Sequence, residues 1–590
     1  MRSPRFFCVL LGLPLLACAC ADSGNRVSAA AASAQPASSL QEPGLLSGTV
    51  SSIAGGAMEG VLVGAKPVAG TVTVTVVSDS KGRYVFPAGR LAVGRYQLSI
   101  RAVGYDLDDP GPVEVRAGGT TRDLRLTPTK DLAPQLTAAE WLLSIQGTPE
   151  HPSGLTVKLD MFDKDRCTMC HSFYFVARSG HDAEGWIPVL QRMRFHSPGS
   201  SPIHPYDHPY SPAMKRYWGG LPGGIEGDLD DEGGRIVPSK RMREQAAYLA
   251  SINLSSSTDG TWKYPLRTLP RPTGAETAVV ITQFDLPRPD SQPHDAAVAP
   301  DGTIWYQDFG QPYIGHLDPA TGQVKEWKIP WVKPYPPYPP GGLDVQIDRE
   351  GNPWFAIQRG AHLMKFDRVT EEMTFWSPEQ GPDLRETVAM IAMTPATKTV
   401  WFSRASSKIF GLDLETNRVA KSWQVPGGYY GLAPTPEGNV FFFQMSSGKV
   451  GEIDTQTGRA ELYATPTPDS GPRRGTLDAQ GRAWFAEYYA GKIGMFDRAT
   501  KQFREWALGV PYADPYDVIP TRDGEVWAGG MVTDYVYRLN PETGQVTKYL
   551  LPSLNTNIRR MDAQNTPAGA VIWFGENHHG KITRIEARGR

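Results

Sequence analysis

Three observations predict a multidomain chain built from an all-β sandwich, then a small all-α domain, then a seven-bladed β-propeller. From Leu45 to Thr129, apolar and polar residues alternate in short runs punctuated by Gly and Pro, the signature of antiparallel strands. Further on, Cys167-Thr168-Met169-Cys170-His171 lies between segments with helical apolar spacing. The third observation is an internal repeat that fills residues 278–590; a period of this length marks stacked supersecondary units.

The N-terminus carries Arg2 and Arg5, an apolar run from Phe6 to Ala17, and then Cys18-Ala19-Cys20-Ala21. A basic start, an apolar run too short to span a bilayer, and A-x-A spacing read as an export signal over residues 1–21. Leu15-Leu16-Ala17-Cys18 resembles the signal of bacterial lipoproteins, which implies cleavage before Cys18 and lipidation of its thiol; Ala19-Cys20-Ala21 offers another end. The expectation is an exported protein, periplasmic or lipid-anchored to the bacterial cell envelope, that meets a membrane only through that anchor. Residues 22–44, rich in Ala and Ser, read as a flexible tether. Three of the five cysteines lie in or beside the signal and two in the C-x-x-C-H, so none is left for a structural disulfide. A formal charge of −2 gives no electrostatic case for nucleic acid.

In residues 45–129 the clearest strand is Val72-Thr73-Val74-Thr75-Val76-Val77. Asp79, Gly82-Arg83-Tyr84-Val85-Phe86-Pro87, Gly94-Arg95-Tyr96 and Ala102-Val103-Gly104-Tyr105 resemble the carboxypeptidase regulatory-like domain. That resemblance implies a small sandwich acting as a spacer or adhesive module.

Residues 132–253 are helical at both ends. C-x-x-C-H is the pattern by which a chain bonds haem through two thioethers and ligates its iron with the histidine. Cys167, Cys170 and His171 are therefore expected to hold one covalent haem c. The segment Arg241 to Ile252 places Ala246, Leu249 and Ile252 on one stripe, and it resembles the closing helix of small c-type cytochromes. The sixth iron ligand has several candidates. Met193 follows Trp186 and Leu190 at helical spacing, in a stretch that resembles a ligand-bearing segment of some short cytochromes. Met214 follows Ser211-Pro212-Ala213, and His196, His204 and His208 offer imidazoles.

A polar linker, residues 254–277, leads to the repeat. Its aromatic anchors are Trp305, Trp354, Trp401, Phe441, Trp484, Trp527 and Trp573, spaced by 49, 47, 40, 43, 43 and 46 residues. Four-stranded units of this period bury their faces economically by closing into a ring of seven. Gly491-Lys492-Ile493-Gly494-Met495-Phe496-Asp497 and Asp318-Pro319-Ala320-Thr321-Gly322 resemble the streptogramin (virginiamycin B) lyase family of propellers.

In a propeller, one polar residue per blade at a fixed offset from the anchor lines the channel. Three residues after the anchors stand Asp308, Gln444, Glu487 and Glu576 among others; eleven before stand His294, Leu343, Tyr430, Arg473 and Tyr516. The lyase resemblance implies a histidine base and a carboxylate that helps hold Mg2+, acting on an ester-linked ring. His294 with Asp308 is the one such pair in register, and Glu487 and Glu576 are further carboxylate candidates. Arg473-Arg474 and Arg559-Arg560 stand where the chemistry wants an imidazole, and a guanidinium stays protonated. They are expected to grip an anionic ligand or to pair with Glu487 and Glu576, and streptogramin ring opening is not expected. His578-His579 follows the last carboxylate.

The main expectation is thus an exported haem c electron-transfer protein, passing electrons with a redox partner protein or small-molecule donor, whose propeller binds a substrate or partner. The alternative is a carbon–oxygen lyase of the streptogramin type with an accessory haem domain; a second alternative is a non-catalytic envelope binding protein. As an enzyme, the chain would be a haem-linked oxidoreductase or such a lyase.

Overall fold

The structure, a computed structural model, describes residues 45–108, 111–145, 172–193, 238, 240–257, 261–262, 264–330, 341–358, 362–377, 388–393, 398–404 and 408–588. The signal, the tether, Cys167, Cys170, His171, His196, His204, His208 and Met214 lie outside the described residues. Among those described, no helix is long and apolar enough to cross a membrane.

The alternating N-terminal segment folds into two facing sheets. One orders Arg83–Val85, Leu46–Ser52, Leu124–Pro128 and Tyr105–Leu107, with Thr120–Thr121 also paired to the second of these. The other contains Val72–Val77, Leu62–Pro67, Gly94–Arg101 and Val113–Val115. Their inward residues, among them Leu46, Val50, Val63, Tyr84, Phe86, Leu98 and Leu126, form one buried core.

The repeat folds into seven four-stranded antiparallel blades, six of them separate sheets and the seventh part of a larger sheet. Their innermost strands are Pro293–Val298, Gly342–Ile347, Val388–Ala392, Gly431–Pro434, Pro472–Leu477, Pro515–Pro520 and Ile558–Thr566. Each touches the next, and the seventh returns to the first, closing the ring. All seven aromatic anchors are buried, and several stack across the sheet, as Trp484 does on Trp506 with ring centroids 5.4 Å apart. The glycine of the Lys-Ile-Gly phrase makes room for a second-strand aromatic: a Cβ on Gly494 would stand 2.4 Å from the Phe485 ring. The Asp-x-x-Thr-Gly phrase closes the turn after the third strand. Asp318 accepts from Ala320 N at 2.9 Å, an Asx turn, and from Thr321 Oγ1 at 2.8 Å.

Blade seven is completed by Val279–Asp285, which pairs with Lys581–Ala587. The other edge of Val279–Asp285 pairs with Val72–Val77 of the sandwich, Val280 opposite Val76. Sandwich and last blade therefore share one eight-stranded sheet, which covers the blade edge that would otherwise be left open to pairing.

Among the described residues, four α-helices lie between these units: α1 (Ala138–Ile145), α2 (Tyr174–Ala177), α3 (Ala183–Met193) and α4 (Lys240–Ile252). The expected stripe on α4 is buried, with Ala246, Leu249 and Ile252 packed beside Trp186 of α3. Only part of the expected all-α domain falls among the described residues, and there the helices bury side chains against the propeller. Trp141, Val176, Trp186 and Leu249 share a core with Tyr488, Tyr516, Met531 and Val532 of the propeller. The linker also packs: Trp262 sits edge-on to Trp141 at 5.2 Å. Apolar side chains on short helices gain more burial against an existing β surface than against each other.

Candidate functional site

The innermost strands depart from regular pairing at one recurrent place. Register shifts fall between Pro293 and Asp295, Gly342 and Asp344, Pro472 and Gly475, Pro515 and Val518, and Ile558 and Met561. A bulge breaks the alternation of a strand and re-aims its side chains. Here it turns consecutive residues toward the axis: His294-Asp295, Leu343-Asp344, Arg473-Arg474, Tyr516-Asp517 and Arg559-Arg560.

Arg474 shows that these side chains meet at the centre. From blade five it reaches Asp295 Oδ2 of blade one at 3.1 Å, Asp344 of blade two at 3.4 Å and Met390 Sδ of blade three at 3.0 Å. Arg560 of blade seven bonds Asp344 at 3.0 Å. Arg473 lies over three tyrosine rings, those of Tyr516 at 4.1 Å, Tyr488 at 4.4 Å and Tyr430 at 4.8 Å. Its Nη2 donates to the Tyr430 hydroxyl at 3.2 Å.

His294 is completely buried, and Asp295 binds its Nδ1. Arg559 Nη1 stands 3.2 Å from Nε2 and the Tyr516 hydroxyl 3.3 Å. A guanidinium can only donate, so Nε2 carries the lone pair and Nδ1 the proton given to Asp295. Burial pushes the imidazole down to about 3, against the pull of Asp295 and with help from Arg559 and Arg474. Burial also opposes ionisation of Asp295, but Arg474 and His294 outweigh it and hold the carboxyl at about 2. For Asp344 and Asp517 burial wins, lifting each to about 6 despite neighbouring arginines.

The carboxylates three residues after the anchors serve elsewhere. Asp308 pairs with Pro293, next to the bulged His294, but its carboxylate takes Arg288 at 2.9 Å and the backbone N–H groups of Gly310 and Gln311. Glu576 accepts from Gln283 Nε2 and Thr583 Oγ1, both at 2.6 Å. Glu487 is buried, and among the described residues no partner meets good hydrogen-bond geometry at either oxygen; burial first, then nearby Glu505, lifts it to about 8, against a weaker pull from Ser470. The expected pairing of arginines with Glu487 and Glu576 is replaced by pairing with Asp295 and Asp344, because the bulges face the axis and the second-strand ends hold loops. The ring nitrogens of His578 and His579 lie within hydrogen-bond reach of the carbonyls of Asn555 and Leu554. Met193 is the last residue of α3.

The three aspartates were the residues that reading by single offset missed. Their signal was legible: polar pairs, His-Asp, Arg-Arg and Tyr-Asp, interrupt the apolar alternation where each inner strand begins.

Magnesium prefers oxygen ligands that no other cation claims. Asp295 and Asp344 are bonded to guanidiniums, and among the described residues no group of three His, Cys, Asp or Glu could hold a metal ion. The described channel residues do not fit that ion.

The channel is also joined to the helices. Ala139 N of α1 donates to Val532 O at 3.1 Å, and Ala138 N to Asn555 Oδ1 at 3.1 Å. Tyr516 belongs both to the shared core and to the channel, so the helices seat on blades four to six next to the site.

The closed ring of blades around a polar channel defines a seven-bladed β-propeller. Residues 414–590 match the Virginiamycin B lyase family, and residues 46–128 match the carboxypeptidase regulatory-like domain. The chain thus contains a virginiamycin B lyase-like region and a carboxypeptidase regulatory-like domain. Similar solved structures include a selenomethionine-substituted virginiamycin B lyase from Staphylococcus aureus, at 18% identity and a TM-score of 0.46, covering 52% of this chain and 99% of that one. Another is a streptogramin B lyase at 21% identity and a TM-score of 0.47, covering 54% of this chain and 100% of that one. Comparison with curated proteins gave no match.

Proposed function

We propose that the propeller channel is a lyase-type site that takes a small anionic ester and withdraws a proton from it at His294. The observation that carries this reading is the state of His294: neutral, oriented through Nδ1 by Asp295, and aiming a lone pair at the axis. A general base must be unprotonated and within reach; a value near 3 leaves this imidazole a weak base at rest, and the turning of Arg559 toward the substrate raises it. In the elimination, the C–H proton goes to Nε2, its electron pair forms a C=C bond, and the C–O bond to the departing carboxylate breaks. Arg559, which already touches Nε2, can turn to the substrate oxygen on which negative charge develops, and a preorganised guanidinium stabilises such charge strongly in a dry site. Arg473 adds a second fixed positive charge across Tyr516. The family match over 414–590 supports a lyase-like propeller; the anionic substrate class is our own inference from the positive charge of Arg473 and Arg559 beside His294.

The test is incubation of the full chain with streptogramin B and with a panel of β-acyloxy carboxylates, products being read by mass spectrometry. The expected product is an alkene and a free carboxylate without incorporated water, lost in His294→Ala. No turnover of any ester by the wild type, or turnover unaffected by His294→Ala, overturns the reading.

A second reading concerns the helices. We infer that Cys167 and Cys170 bind a haem c whose iron His171 ligates, with Met193 as the other axial ligand, so that the chain also exchanges electrons with a redox partner. The C-x-x-C-H spacing carries this. Support comes from the apolar helical core that Trp141, Trp186 and Leu249 build near it in sequence.

A further inference from the structure

An imidazole that has taken a proton beside Arg559 becomes a cation facing a cation 3.2 Å away. It cannot hold that proton for long in a buried site, and a continuous chain of hydroxyls stands beside it. The Tyr516 hydroxyl stands 3.3 Å from His294 Nε2 and 2.8 Å from the Tyr430 hydroxyl, and Tyr430 in turn accepts from Arg473 Nη2 at 3.2 Å.

We propose that Tyr516 and Tyr430 form a proton relay for His294, with Tyr430 the terminal acceptor held as a phenolate by Arg473. The step balances without a metal or an oxidant. His294 Nε2 gives its proton to the Tyr516 oxygen while the Tyr516 proton passes to the Tyr430 phenolate, leaving a neutral imidazole and two phenols. Neither tyrosine touches the reacting carbon, so both are positioning residues that act through His294.

The surroundings of Tyr430 suit a phenolate. Arg473 of blade five donates to its oxygen and lies over its ring; Tyr516 of blade six shares its hydroxyl; Arg559 of blade seven adds positive charge from across the channel, with His294 behind Tyr516. Burial alone would favour the phenol, yet Arg473 and the hydrogen bond from Tyr516 outweigh it, and Tyr430 is held below the ordinary tyrosine range. Tyr516, buried just as deeply, is shifted the other way, with burial the main cause and Tyr430 adding to it. Of the two phenols, Tyr430 is the one whose ionisation its surroundings favour.

The proposal rests on His294 as the base, but its test does not need a substrate. Ultraviolet difference titration of the full-length protein should show one tyrosine ionising well before the rest, and Tyr430→Phe should abolish that step. Incorporating 3-fluorotyrosine at position 430, which preserves shape and lowers the phenol pKa, should move the step to lower pH. Where an ester is turned over, Tyr430→Phe and Tyr516→Phe should each slow it by about a hundredfold, within the range of acid–base contributions, and shift the acid limb of the pH–rate profile. An early titration that survives Tyr430→Phe, or that ignores fluorination at position 430, overturns the relay. Absence of turnover with an intact early titration sinks the elimination reading and leaves the Tyr430 phenolate standing.

Discussion

Arg559 Nη1 donates to His294 Nε2 across 3.2 Å in the centre of the propeller, so a cation and a potential base share one lone pair. Burial and this guanidinium together keep the imidazole neutral down to about pH 3. Arg559→Met removes the charge and keeps most of the volume. The His294 pKa should then rise by roughly one unit, measured by NMR of the imidazole nitrogens; an unchanged value would mean that burial alone sets it.

Arg474 ties blades one, two and three to blade five. Arg474→Met strands Asp295 and Asp344 in a site with little water, and breaking a buried pair from one side costs about 3–5 kcal/mol. Denaturant unfolding should show this loss, and adding Asp295→Asn should recover part of it. Additive penalties in that double mutant would argue against the pairing.

Glu487 gives a pH signature of the opposite sign to a salt-bridged carboxylate. Its folded value is lifted to about 8 from the ordinary 4.5. Between those values the unfolded chain has released a proton that the folded chain keeps, so stability falls as pH rises through this window. Glu487→Gln removes the effect. The variant should be more stable than wild type at pH 8 by about 1–3 kcal/mol, with the difference vanishing below the ordinary glutamate value, as thermal melts at several pH values would reveal.

The shared eight-stranded sheet makes the sandwich part of the propeller's closure. Proline at Thr75, a residue whose strand is paired on both sides, removes a ladder hydrogen bond from an interior strand. Limited proteolysis should then cut near Val279–Asp285, the strand that Val72–Val77 covers. Resistance equal to wild type would show that blade seven closes without the sandwich.

Produced in a host competent in cytochrome c maturation, the chain should keep a pigment through denaturation, because thioether bonds survive unfolding. Colourless protein would remove the haem reading. If pigment is present, Met193→Ala should abolish the thioether-to-iron absorption band; loss of that band in Met214→Ala instead would move the ligand.

Much of this protein was legible in one dimension. Blade number follows from the anchors Trp305 to Trp573, because each blade must bury one large aromatic in its second strand and the spacing of those residues counts the strands between. The sandwich strand Val72–Val77 and the buried stripe of α4 follow equally from local periodicity, which depends only on strand and helix geometry. Partnership in the channel does not, because it depends on contacts between blades. Arg474 looked like a neighbour of Glu487, thirteen residues away, yet it bonds Asp295 and Asp344 from the far side of the ring. Closing seven blades brings distant bulges to one axis, and a bulge turns two adjacent side chains inward together only when the partner strand is in place. The same closure decided that the helices share their core with Tyr488 and Tyr516. Apolar faces in the sequence announce burial, but the surface that buries them exists only once the propeller has formed.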